Sequence, residues 1–115
     1  MVRNVPFITE WIADLRSGQY KQVRRTLKNY SGYCCLGRAC DVAATMGMGT
    51  WEDENDDSTY FCYGGEEEDV VIPQPLLDWI GISNDEQEIL FQMNDIEKKT
   101  FPEIAEYIEK VILTS

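Results

Sequence analysis

The stretch Thr59-Tyr60-Phe61-Cys62-Tyr63-Gly64-Gly65, with Val70-Val71-Ile72 beyond it, decides the fold class. β-Branched and aromatic side chains suit a half-buried pleated surface, and glycines supply the positive φ of a tight turn. The pattern predicts an antiparallel hairpin: a strand over 59–63, a turn starting at Gly64-Gly65 and a returning strand over 70–72. Val23 to Leu27, ahead of the turn-forming Asn29-Tyr30-Ser31-Gly32, reads as a further short strand.

Outward from the hairpin the apolar residues recur at helical spacing. Pro73 and Pro75 flank the start of a short helix carrying Leu76, Leu77, Trp79 and Ile80, closed by Gly81. Ser83 or Asn84 caps the next helix, with Ile89, Leu90 and Met93. Thr100-Phe101-Pro102-Glu103 is a capping box ahead of one apolar stripe, Ile104, Ala105, Ile108, Val111 and Ile112. On the N-terminal side, a helix over about Cys35 to Met46 presents Leu36, Ala39, Cys40, Ala43 and Ala44, a face of small residues that permits close packing, and Gly47 and Gly49 stop it. Asn4 caps a first helix with Pro6 in its first turn; Phe7, Ile8, Trp11, Ile12 and Leu15 form its apolar side, and Gly18 ends it. The expected product is an α+β domain, four or five short helices packed with a small antiparallel β-sheet, residues 1–115 forming a single compact domain.

Composition bounds the chemistry. A chain of 115 residues supports one core of useful size. The 43% hydrophobic fraction is too high for a disordered acidic tail. With no histidine, Ser-His-Asp and Cys-His nucleophilic pairs are excluded, as are histidine metal ligands. The 21 acids against 10 Lys+Arg, net −11, exclude bulk nucleic acid as a partner, because both surfaces are negative. The N-terminal residues lack an apolar h-region and a small-residue cleavage site, so no secretory signal is expected. No apolar run approaches the roughly 20 residues of a membrane span. Cys34, Cys35, Cys40 and Cys62 form no C-x-x-C pair and lie mostly in an apolar segment, so they read as reduced thiols packed as small apolar groups. No metal, cofactor or catalytic residue is assigned, and self-association is left open.

The charge is segregated. Between Leu15 and Cys40 lie Arg16, Lys21, Arg24, Arg25, Lys28 and Arg38 and no acid; between Asp41 and Glu97 lie sixteen acids and no Lys or Arg. The two segments either neutralise each other in the fold or serve different partners. On the second view Arg16, Lys21, Arg24, Arg25 and Arg38 form an anion site. Guanidinium forks match phosphate, and Tyr20, Tyr30 and Tyr33 stack on a base or ribose. The ligand expected is a small phosphate-containing nucleotide, with the acidic loops at 52–57 and 66–69 excluding larger nucleic acids. The alternative partner is a basic host protein, for which those same carboxylates stand in for phosphates.

Two motif matches fail on inspection. Gly32 to Gly37 has phosphate-loop spacing but lacks the Lys and Ser/Thr that must follow it. Asp53-x-Asn55-x-Asp57 opens like a calcium loop, yet Ser58 and Gly64 stand where Gly and Glu are required. Trp11, Trp51 and Trp79 read as core or groove-lining residues.

Several blocks occur in order: Trp11-x-x-x-Leu15-Arg16-Ser17-Gly18-x-Tyr20-Lys21-Gln22, Gly32-Tyr33-Cys34-Cys35-Leu36-Gly37-x-x-Cys40-Asp41, Ile72-Pro73, Trp79-Ile80-Gly81, Met93-Asn94-Asp95 and Phe101-x-Glu103-Ile104-Ala105-x-Tyr107-Ile108-Glu109. Together they resemble a family of small proteins encoded by bacteriophages and prophages, the Y-C-C-L-G-x-x-C-D block being the most specific part. The resemblance implies a phage gene expressed in the host bacterial cytoplasm, and an accessory protein that antagonises a host system such as antiviral defence. It supplies no catalytic residues. The reading it favours is a non-enzymatic protein that sequesters a signal nucleotide, or else an acidic inhibitor of a host enzyme or a virion or assembly component.

Overall fold

The computed structural model describes residues 2–53 and 59–114. Asn4 accepts the Phe7 N–H at 3.2 Å, and helix α1 runs from Val5 to Arg16 with Phe7, Ile8, Trp11, Ile12 and Leu15 buried. Chain reversal then leads to two two-residue strands, β1 (Lys28–Asn29) and β2 (Gly32–Tyr33), paired antiparallel. Helix α2 (Cys35–Thr45) follows at once. Cys34 is its N-cap, its Sγ accepting the Gly37 N–H at 3.3 Å. Gly37 is required by packing, since a Cβ there would overlap the Leu27 carbonyl.

A second sheet has the order β3-β4-β5, from β3 (Thr50–Asp53), β4 (Thr59–Tyr63) and β5 (Glu66–Glu68), all antiparallel. Here the structure corrects the expected hairpin. Gly64 and Gly65 both take left-handed φ, 64° and 85°, which makes a two-residue turn. The chain therefore returns immediately, with Tyr63 opposite Glu66, and the second strand is Glu66–Glu68 rather than 70–72. Ile72 instead reaches the core, its N–H held by Gln87 Oε1 at 2.8 Å.

Helices α3 (Gln74–Ile80), α4 (Asn84–Asp95) and α5 (Phe101–Tyr107) complete the order, and α5 continues as a π-helical turn over Ile108–Ile112. Ser83, not Asn84, caps α4, and both it and Thr100 at α5 form full capping boxes, with Glu86 and Glu103. Among the described residues there are thus five α-helices and two small antiparallel sheets, an α+β domain. Helix α1 packs against α2 and α5, and α4 against both. The expected apolar stripe loses one member. The Leu113 N–H bonds back to Ile108 C=O, five residues away, and this wider turn leaves Val111 48% exposed while Ile108 and Ile112 stay buried.

The segment expected as a strand over 23–27 is a pinned loop. Gln22 bridges Tyr33 in parallel, and the Val23 N–H donates to Tyr33 C=O at 2.8 Å. Arg25 then turns the chain with φ 70°, a left-handed conformation uncommon outside glycine. The pairing is broken there, and it resumes only when Leu27 N–H donates to Asp69 C=O.

Candidate functional site

Arg38 sits on α2, is 2% exposed, and is a buried hub. Its Nε and Nη2 donate to the two carboxylate oxygens of Asp14 on α1, at 2.8 and 2.6 Å, a bidentate fork. Its Nη1 donates to Asp41 Oδ2 at 2.7 Å, and the other oxygen of Asp41 accepts Trp51 Nε1–H at 3.0 Å. The guanidinium carbon lies 3.3 Å from the Tyr20 ring centroid and 4.4 Å from that of Tyr33, the two rings edge to face. Burial alone would lower its pKa, but the two carboxylates outweigh that and hold it above its ordinary value. Arg38, Tyr20 and Tyr33, expected to receive a phosphate ligand, are thus brought together, with the guanidinium facing the Asp14 and Asp41 carboxylates. Three of its N–H groups bond protein carboxylates, and its carbon lies close to both tyrosine rings. The cavity beside it, about 380 Å³, is lined by Glu10, Asp14 and Asp41 together with Arg38 and Tyr20.

Among the other cations of the basic segment, Arg16 has its own partners. Arg16 bonds Glu106 and Glu109 at 3.1–3.2 Å on the far side of α1. Lys28 lies over Tyr33 and Trp51, 5.5 and 5.1 Å from their ring centroids. Lys21, Arg24 and Arg25 are exposed on the pinned loop, and Tyr30, 82% exposed, tips the β1–β2 turn.

Asn94 holds that loop. It is 1% exposed; its Oδ1 accepts from Gln22 Nε2 at 2.7 Å and from Cys35 N–H at 3.1 Å, and its Nδ2 donates to Val23 C=O at 3.0 Å. Asp95 Oδ2 accepts the Arg25 N–H at 2.9 Å. The Met93-Asn94-Asp95 block and the cysteine block are therefore two halves of one structural joint. Cys34, Cys35 and Cys40 are buried free thiols; burial pushes Cys34 up to about 12 and the other two well above the ordinary thiol range, which disfavours the thiolate.

The acidic sheet behaves differently. Residues directly opposite in the ladder share a face, so the pairs Glu52–Tyr60 and Cys62–Glu67 stand together on the face away from the buried Phe61. Burial and the carboxylates of Glu67 and Glu52 raise the Cys62 thiol pKa. Tyr60, Glu67, Glu68 and Asp69 line a concavity of about 290 Å³ at the open edge. Among the described residues, no Lys or Arg forms an ion pair with Glu52, Glu66, Glu67, Glu68 or Asp69. The ion-paired members of the basic segment among the described residues, Arg16 and Arg38, use Glu106, Glu109, Asp14 and Asp41. Sequence reading marked 66–69 as an acidic loop. Tyr60 was missed because an alternating strand residue carries no sign of which neighbours the register brings beside it. The acidic loop at 52–57, with the calcium-like Asp53-x-Asn55-x-Asp57, falls largely on residues 54–58, outside the described residues.

Among the described residues no group of His, Cys, Asp and Glu side chains is placed to hold a metal ion, and no helix is long and apolar enough to cross a membrane. No curated protein and no solved structure matches the chain. Residues 6–112, nearly the whole length, match the family described as a domain of unknown function, DUF8296, and the chain belongs to that family.

Proposed function

We propose that this chain is a non-enzymatic accessory protein that engages a basic protein surface through its acidic sheet. Its resemblance to phage-encoded proteins makes a host nucleic-acid-binding enzyme the expected target. The observation that carries the reading is the concavity lined by Tyr60, Glu67, Glu68 and Asp69, whose three carboxylates form no ion pair with a Lys or Arg among the described residues. An arginine or lysine of the partner entering it meets carboxylates for charge-assisted bonds and an aromatic ring for cation–π contact. The surrounding field steers such a partner in and makes capture salt-sensitive.

Immobilised protein incubated with host lysate tests this, with bound proteins identified by mass spectrometry. The wild type is expected to retain a basic nucleic-acid-binding protein at low salt and release it near ~1 M salt, where the Debye length is about 3 Å. Glu67→Lys with Glu68→Lys is expected to retain none. Equal retention by wild type and variant would overturn the reading.

A second reading, sequestration of a small phosphate-bearing nucleotide, is favoured by one observation: Lys21, Arg24 and Arg25 are exposed on a loop whose left-handed Arg25 is fixed by Asp95. A nucleotide that binds the native state raises Tm. An unchanged Tm at millimolar nucleotide, or an equal rise in Arg24→Ala/Arg25→Ala, excludes it.

A further inference from the structure

We propose that the 21–25 loop and the turn that follows α4 together form a binding site for a polyphosphate chain. The proposal rests on the second reading above, phosphate capture by the loop, and adds the residue that the α4 end contributes and the chemical class of the ligand. Three hydrogen bonds join the two segments. Gln22 Nε2 donates to Lys99 C=O at 2.8 Å, Asn94 Nδ2 to Val23 C=O at 3.0 Å, and the Arg25 N–H to Asp95 Oδ2 at 2.9 Å. The bonded residues are 70 to 77 positions apart in the sequence. The joint therefore brings the backbone of Lys98 to the loop that carries Lys21, Arg24 and Arg25, a combination that no local pattern announces.

These four cations are exposed, and among the described residues none of them forms an ion pair. The other cations are engaged. Arg3, Arg16, Arg38 and Lys110 bind carboxylates, Lys28 lies over two rings, and Lys99 lines the α4–α5 groove with Glu103. The unpaired four thus share one joint, in a chain where 21 acids compete for 10 cations. The acids beside them on the α4 end are Asp95 and Glu97, and Asp95 already accepts from the Arg25 and Asn94 N–H groups. The backbone marks the same place. Arg25 and Lys98 are the two non-glycine residues with left-handed φ among the described residues, 70° and 57°. Glycine takes that conformation freely and other residues take it at a cost, yet both positions carry a cation. Two guanidinium forks and two ammonium groups suit the oxygens of a phosphate chain. An extended polyanion would reach past the patch into the field of a chain with net charge −11, whereas a compact polyphosphate meets the cations alone.

Calorimetric titration of the full chain at low salt, with inorganic triphosphate and separately with ATP, tests this. Both are expected to bind. Equal affinities give the site to the phosphate chain alone and tighter ATP gives it to a nucleotide; either result supports the proposal. Arg25→Gly and Lys98→Gly each remove a charge while glycine keeps the left-handed backbone without strain, so Tm should hold or rise. Each is expected to weaken binding by about tenfold, whereas Lys110→Gln, outside the patch, should change it by less than about twofold. Weaker binding in Arg24→Ala/Arg25→Ala but not in Lys98→Gly overturns the proposal and leaves the loop's phosphate reading standing. No binding of either probe at millimolar concentration overturns both. Binding that all these variants leave unchanged overturns the proposal. Capture of anionic vesicles in place of triphosphate, lost in Arg25→Gly and Lys98→Gly, gives the patch to a membrane and overturns it equally.

Discussion

At Arg38 a single side chain joins three elements. Its fork binds Asp14 of α1 and Asp41 of its own helix, and its plane covers Tyr20 and Tyr33. Removing it leaves two partly buried carboxylates facing each other without a cation. Arg38→Met is therefore expected to cost about 3 kcal/mol in urea denaturation. Adding Asp14→Asn and Asp41→Asn to that variant should recover part of the loss, because the uncompensated charges go with them. If Arg38→Met unfolds at the same urea midpoint as the wild type, the hub is not what holds α1 to α2. The residue was visible in the sequence as a cation, but its use was not. An arginine three positions before an aspartate on a helix looks the same whether its fork points to solvent or across to a neighbouring helix.

Among the elements, α4 is the one most tied to distant chain. Asn94 at its end pins the 22–25 loop, and Glu86 at its start clips the N-terminal segment: Arg3 binds both Glu86 oxygens at 2.6 Å and also the Gly81 carbonyl. The Arg3 hydrogen bonds, with help from the Ser83 N–H, hold the Glu86 carboxyl at about 2, below its ordinary 4.5. A depressed carboxylate pKa stabilises the fold above the unfolded value and is lost as pH falls through the folded one. Arg3→Gln is thus expected to lower stability by roughly 1 kcal/mol at pH 6, after allowance for solvent screening. That difference should shrink between pH 4.5 and about 2 as Glu86 takes up a proton. A constant difference across that range, measured by urea titration at each pH, would mean that Arg3 acts through packing instead.

For the whole molecule, the charge segregated along the chain is only partly paired in space, through contacts such as Arg38–Asp41. Among the described residues the ion-paired cations bind Asp14, Asp41, Glu86, Glu106 and Glu109, and none pairs with Glu52, Glu66, Glu67, Glu68 or Asp69 of the β3-β4-β5 region. Self-repulsion at net −11 opposes the compact state. Raising salt from ~10 to ~150 mM, which shortens the Debye length from about 30 to about 8 Å, is expected to raise Tm. Glu67→Lys should raise Tm at low salt, with its advantage over the wild type closing at high salt. A Tm that falls with salt would show that attractive pairs dominate instead.

What the sequence determined by itself is the set of local decisions. The Asn4, Ser83 and Thr100 caps, the α1 apolar face and the α2 span were legible because capping and helical period depend on residues within one or two turns. Tertiary structure decided the rest. The return strand moved to Glu66–Glu68 because turn geometry fixed the register, overriding the β-propensity of Val70-Val71-Ile72. Val111 left its stripe because the helix widens to a π turn over Ile108–Ile112. Arg38 faces two carboxylates 24 and 3 positions away, the first pairing set by how α1 crosses α2. Charge can be counted along a chain, but whether a charge is available depends on its neighbours in space, and those are chosen by packing.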